Sequence, residues 1–270
     1  MVLLHRFAAF LKRDYLLARA SRLAFGWQLL SVFFAAPILF YMGRLIQPAT
    51  SRHLAPFGGD YFAFVTIGVA VFGFLAATMA APAAAIRHEQ MIGTLEAVLI
   101  TPASPHVVVL GASLWNIIVA ILQGALYLVL GVLIFGLEIR GTGLLAAALV
   151  SLVAVGTFAA LGMLSTALVV ILRHGDPLSG LIAAGSALLG GVFYPTTVLP
   201  QPLQRLSEFV PLTHALRALR LALLQGHGVS ALQEELSILL LFLGVLGPLA
   251  TFALWWAIRQ AKTAGTLGAY

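Results

Sequence analysis

Residues 61–86 read YFAFVTIGVAVFGFLAATMAAPAAAI, a run without one charged side chain. About 20 residues of this kind cross the hydrocarbon core of a bilayer, so this stretch decides the solvent in which the chain folds. Similar uncharged runs occupy 27–43, 107–137, 141–172, 177–204 and 236–258. The first is short but gains Leu45 and Ile46 if Arg44 snorkels to the interface. The chain as a whole is 61% hydrophobic and 9% charged, with a mean hydropathy of +1.04. Soluble domains carry about 25% charged residues, so lipid is the main solvent here. Six runs predict an all-α polytopic membrane protein with six transmembrane helices spread over 26–258.

Working outward from that run, residues 87–102 (RHEQMIGTLEAVLITP) form a polar island between two very apolar segments. The island is too long for a tight turn and long enough for a short helix. Two carboxylates, an internal Gly-Thr and a closing proline exceed what joining two spans requires. A segment of this kind offers a surface for another protein to hold. One face of the helix would be apolar (Met91, Leu95, Val98, Leu99), and Gly93 would permit close backbone approach.

Residues 1–25 are expected to lie on the membrane as an amphipathic helix. At 100° per residue Leu3, Phe7, Phe10 and Leu11 share an arc, opposite His5, Arg6, Lys12, Arg13 and Arg19. An even number of spans puts both termini on one side. Arg6, Lys12, Arg13, Arg19, Arg22, Arg87, Arg173, Arg259 and Lys262 then outnumber Arg44, Arg52, Arg140, Arg205, Arg217 and Arg220. That bias makes the shared side cytoplasmic, with the island and a tail at 259–270 on it. The runs at 107–137 and 141–172 are longer than a hydrocarbon core needs and must tilt, kink or project.

The run at 177–204 differs from the rest. Gly190-Gly191 and Pro195, Pro200 and Pro202 interrupt it, and an amphipathic segment with Arg205, Glu208, His214, Arg217 and Arg220 follows. Non-helical backbone at membrane depth survives only where protein or water satisfies it. Residues 190–225 therefore read as a broken, re-entrant element on the outer side. Arg217 and Arg220 could pair with Glu208, Asp60 or lipid phosphate.

Several chemistries are excluded or lack support. Cysteine is absent, which removes disulfides and thiolate metal sites. The only lysines, Lys12 and Lys262, follow no glycine-rich turn, so no phosphate-binding loop is present. The seven histidines have no metal-ligand spacing, and His88-Glu89 lacks a second histidine four residues on. No catalytic constellation is visible. The net charge of +6 fits topology and anionic headgroups rather than nucleic acid. No charge falls mid-span, which speaks against an ion relay. A path for something bulky or greasy could be lined by Phe33, Phe34, Tyr41 and Phe72.

Two passages together resemble the ABC-2 family of exporter permeases. One is Glu89-x-x-x-Gly93-Thr94-x-Glu96-x-x-Leu99 with Thr101-Pro102. The other is Gly190-Gly191-Val-Phe-Tyr-Pro195, then Leu199-Pro200, Pro211-Leu-Thr-His214, Arg217 and Arg220. The resemblance implies the permease subunit of an ATP-driven exporter in a bacterial cytoplasmic membrane, not itself an enzyme. It implies two copies of a separate ATPase that carries ATP and Mg, a second permease copy, and a drug, lipid or lipid-linked glycan as substrate. Glu89, Met91, Gly93, Thr94, Leu95, Glu96 and Leu99 would dock in the ATPase as a cytoplasmic coupling helix. Gly190, Gly191, Pro195, Pro200, Pro211, His214, Arg217 and Arg220 would form an external gate. An ion-coupled carrier, or an intramembrane scaffold or enzyme, is the alternative.

Overall fold

The computed structural model describes residues 2–20, 22–93, 105–172 and 177–263. All the regular elements among them are helical. In chain order they are α1 (Val2–Ala20), α2 (Arg22–Leu54), α3 (Tyr61–Met91), α4 (Pro105–Phe135), α5 (Leu144–Leu172), α6 (Pro177–Leu189), α7 (Gln201–Ser207), α8 (Pro211–Gln225) and α9 (Gln233–Thr263). Short 3₁₀ turns at Ala55–Phe57, Gly141–Gly143, Thr196–Val198 and Val229–Leu232 connect them.

Four of these segments are long and apolar enough to cross a membrane: Tyr61–Glu89, His106–Phe135, Gly141–Leu172 and Val229–Ala261. The other two predicted crossings correspond to the shorter apolar stretches Leu30–Ile46 and Ser179–Leu189. The reason lies in the sequence. α2 continues well past its apolar part into a polar third, and α6 stops where Gly190-Gly191 begins.

The chain runs up and down between two ends of one bundle. At the first end Arg13 Nη1 of α1 donates to Glu89 Oε1 of α3 at 3.0 Å, and Tyr15 meets the Trp115 ring of α4 edge-on. At the opposite end Tyr61 Oη donates to the Phe193 carbonyl at 3.0 Å, and the Arg140 amide to the Leu223 carbonyl at 2.8 Å. Asp60 starts α3 there, accepting from the Phe62 and Ala63 amides at 3.1 and 3.2 Å. That N-cap engages both carboxylate oxygens, and among the described residues Arg217 and Arg220 pair with other groups than Asp60.

The main core joins Ile67, Leu75 and Met79 of α3, Val150 and Phe158 of α5, Leu212 and Leu216 of α8 and Leu239 of α9. A second cluster near the α1 end holds Ile86, Val109, Met163, Val170, Leu254 and Ile258. Contact between α3 and α5 is close: a Cβ at Gly162 would sit 2.3 Å from the Met79 carbonyl oxygen. Small residues at such crossings let backbones meet, which drives helix association in lipid. Hydroxyls within the long helices bond carbonyls four residues back, as Thr78 does to Phe74 and Thr166 to Gly162. That satisfies them without water. Large apolar side chains such as Leu241, Val245 and Phe252 of α9 point outward, as suits a surface wetted by lipid.

Candidate functional site

Helix α6 stops at Leu189 because the following backbone needs a conformation that favours glycine. Gly191 has φ +75°, and its neighbour Gly190 is packed beneath Leu212. Residues 192–195 then run without helix, and Pro195 is buried with no N–H to give. Side chains of the break itself and of α8 take up the released carbonyls. Tyr194 Oη donates to the Leu188 carbonyl at 2.6 Å. Arg220 of α8 donates through Nη1 to Gly191 O at 2.9 Å, through Nη2 to Val192 O at 3.0 Å and through Nε to Phe64 O at 3.2 Å. Its guanidinium lies 3.4 Å from the centroid of the Phe64 ring, and the residue is 3% exposed. Gly68 leaves the room: a Cβ there would fall 2.2 Å from Val192 O and 2.6 Å from Arg220 Nη2. Arg220 thus pins the break after α6 to the first turns of α3.

Helix α8 is set by its ends and one buried face. Pro211 occupies its first turn, where a missing N–H is harmless. Gly226 closes it at φ +73°, with its amide on Ala222 O and the His227 amide on Leu221 O. Leu212, Ala215, Leu216 and Leu219 go into the main core. Pro200 is exposed, before α7, whose Gln204 Nε2 donates to Thr197 O and Leu199 O at 3.1 and 2.7 Å.

His214 and Arg217 of α8 form one charged cluster with Glu208 and Glu235. His214 Nδ1 lies 2.5 Å from Glu235 Oε2, and its Nε2 lies 2.9 Å from the Glu208 carbonyl and 3.6 Å from Glu208 Oε2. Arg217 donates to Glu235 Oε1 at 2.9 Å and to Glu208 Oε1 at 2.8 Å. The cluster ties α8 to the chain after α7 and to the first turn of α9. Burial opposes a charged imidazole, but the Glu235 hydrogen bond, the Glu208 carbonyl and the two carboxylate charges outweigh it. The His214 pKa is held above its ordinary 6.5.

A group raised in this way stabilises the fold fully below its ordinary value. The contribution is lost as pH rises through the raised value. Thermal unfolding of the parent chain should therefore show a stability decline above pH 6.5. That decline should flatten in His214→Gln; identical pH profiles for the two proteins would remove His214 as its source.

The sequence groups Gly190, Gly191, Pro195, Pro200, Pro211, His214, Arg217 and Arg220 as one element, and the structure brings most of them together. It separates the two arginines: Arg217 is paired with acids, whereas Arg220 holds backbone. Glu235 escaped the sequence reading because it lies in another helix, with no spacing to link it to His214. Tyr61 and Phe64, at the start of α3, are both buried.

At the α1 end, Arg87–Met91 prolong α3 instead of opening a separate helix, because nothing in His-Glu-Gln-Met breaks the helix before Gly93. Gly93 has φ +72° with open space around it. Met91 is 87% and Ile92 55% exposed. Glu89 turns inward, 5% exposed, onto Arg13. Thr94, Leu95, Glu96 and Leu99 lie outside the described residues. Phe33, Phe34 and Tyr41 face outward from α2, and Phe72 packs on the main core. None of these four lines the apolar cleft of about 450 Å³ that Phe74, Gly124, Ala147, Ser151 and Leu219 enclose among α3, α4, α5 and α8.

The sequence pattern of the ABC-2 type transporter family matches residues 5–224, from α1 to the end of α8. Among curated proteins, Nodulation protein J of Sinorhizobium fredii (strain NBRC 101917 / NGR234) is 28% identical over 204 residues, covering 72% of this chain and 77% of that protein.

Proposed function

This chain belongs to the ABC-2 type transporter family, and from that premise we propose that it is the membrane subunit of an ATP-driven exporter. Its substrate would be hydrophobic or amphipathic (a drug, a lipid or a lipid-linked glycan) and would leave the cytoplasm or the inner leaflet. The observation that carries this reading is the extent of the match, which includes both the island after α3 and the broken stretch before α9.

In this reading α2 and α6 complete six passes through a bacterial cytoplasmic membrane, with both termini cytoplasmic. At a rise of about 1.5 Å per residue α6 spans only part of a bilayer, and α7 and α8 fill the rest of the leaflet as a gate. The 87–102 segment docks on the ATPase, with α1 alongside. Two ATPase copies supply ATP and Mg, and a second copy of this chain completes the unit.

The test is reconstitution of the chain with a Walker-loop ATPase in lipid vesicles. Copurification of equal numbers of the two subunits, and transport that stops without ATP, are expected. Transport that continues without ATP and follows a proton gradient would overturn the proposal. It would instead favour a carrier that uses the buried His214–Glu235 pair.

A further inference from the structure

A second cavity, of about 300 Å³, opens at the end of the bundle opposite α1. It lies between the end of α2, the turn at Ala55–Phe57, the start of α3, the break after α6 and α8. Its polar lining includes His53, Thr196, Thr197, Arg217 and Arg220, while Phe57, Phe64 and Leu221 make an apolar wall. Among the described residues, no carboxylate lines it. Gln225 Nε2 donates to Pro56 O and ties α8 to the turn beside the cavity.

The charge on this wall is unbalanced. Arg217 is neutralised from behind by Glu208 and Glu235. Arg220 is not: among the described residues it forms no ion pair, and its partners are three carbonyl oxygens and the rings of Phe64 and Phe57. A guanidinium carries five N–H donors, so three bonds leave two unused, one on each terminal nitrogen. A buried cation without a counter-ion is costly, and an anion brought into its reach relieves that cost. Phe64 of the cavity wall lies in the first turn of α3, where the apolar run of that helix begins, and the end of an apolar run is where headgroups are expected. One wall suits a phosphate and the other the start of a hydrocarbon chain.

We propose that this cavity is a binding site for a phosphate-type oxyanion, carried on the headgroup of a lipid or other anionic amphiphile. The site needs no ATPase and stands apart from the transport reading.

The experiment uses the full-length chain purified in neutral detergent. Phosphatidylglycerol, phosphatidylcholine and inorganic phosphate are added separately, with native mass spectrometry and melting temperature as readouts. Phosphatidylglycerol is expected to stay bound and to raise the melting temperature more than phosphatidylcholine, whose ammonium cancels its charge. His53→Glu and Thr197→Glu place a carboxylate at the cavity from exposed positions, and neither removes a side-chain hydrogen bond described above. Each should weaken phosphatidylglycerol binding about tenfold or more by like-charge repulsion, with the unliganded protein at least as stable as the parent. If inorganic phosphate competes in the parent and not in these variants, a soluble oxyanion also fits the site. If it does not compete, the lipid headgroup is the ligand. Equal binding by parent and Glu variants, or equal binding of the two lipids, would overturn the proposal.

Discussion

Arg220→Ala is expected to remove most of the folded protein, measured as the monodisperse fraction after solubilisation and as melting temperature. Gly191 O and Val192 O lie outside any helix and accept no backbone hydrogen bond among the described residues. Arg220 is their donor. An unsatisfied buried polar group costs roughly 1–3 kcal/mol, so two of them cost about 2–6 kcal/mol before the void left by the side chain is counted. Folded proteins are stable by only about 5–15 kcal/mol. Arg220→Met keeps the length and loses the donors, so it should fare little better than alanine. Arg220→Lys keeps donors but cannot span three carbonyls in one plane, and should fall between. A fully stable Arg220→Met protein would refute the stapling role. Arg217→Ala leaves the break untouched and should assemble normally. Arg217 and Arg220, alike in the sequence and three residues apart, therefore separate into a latch and a staple.

Much of this architecture is legible along the chain because lipid imposes a simple rule. Residues 61–86 and the uncharged runs at 107–137, 141–172 and 236–258 each became a long helix, since backbone in hydrocarbon must satisfy itself. The break at Gly190-Gly191 is legible because its backbone demands glycine and its prolines withhold donors. What satisfies that break is not legible. Arg220 and the Phe64 carbonyl are 156 residues apart, and no pattern in either segment announces the other. The same holds for Glu235 opposite His214, and for Arg13 opposite Glu89. The number of crossings was read from composition alone: four of the six runs lie in helices long and apolar enough to cross, and the other two correspond to the shorter apolar stretches Leu30–Ile46 and Ser179–Leu189. The four aromatics assigned to a path were chosen by residue type, and type does not fix which way a helix faces. At the island, composition marked a boundary near Arg87, but α3 ends only where Gly93 requires a positive φ.

Glu96→Lys and Gly93→Trp are expected to abolish ATPase copurification and substrate-stimulated hydrolysis, while each variant still inserts and associates with a second copy of itself. The expectation rests on what the end of α3 presents. Met91 and Ile92 are exposed apolar side chains at the tip of a helix that is otherwise packed, and a partner groove would cover them. Among the described residues a Cβ at Gly93 would meet nothing within 4 Å, so on the proposed docking the steric penalty of a large side chain there falls on the partner. Gly93→Ala supplies the control. It carries only the strain of a left-handed residue, about 1–2 kcal/mol, and should still bind the ATPase. Glu89 cannot serve as the acidic contact in the same way, because Arg13 already holds it. Glu89→Lys should instead loosen α1 from α3, and Arg13→Glu combined with Glu89→Lys should restore the pair. On the proposed docking Glu96 supplies the acidic contact to a basic pocket on the ATPase, and a lysine there would face like charge at a cost of several kcal/mol. If Gly93→Trp and Glu96→Lys both retain the ATPase and transport at the parental rate, residues 87–102 merely join two spans, and the coupling surface must be sought along α1.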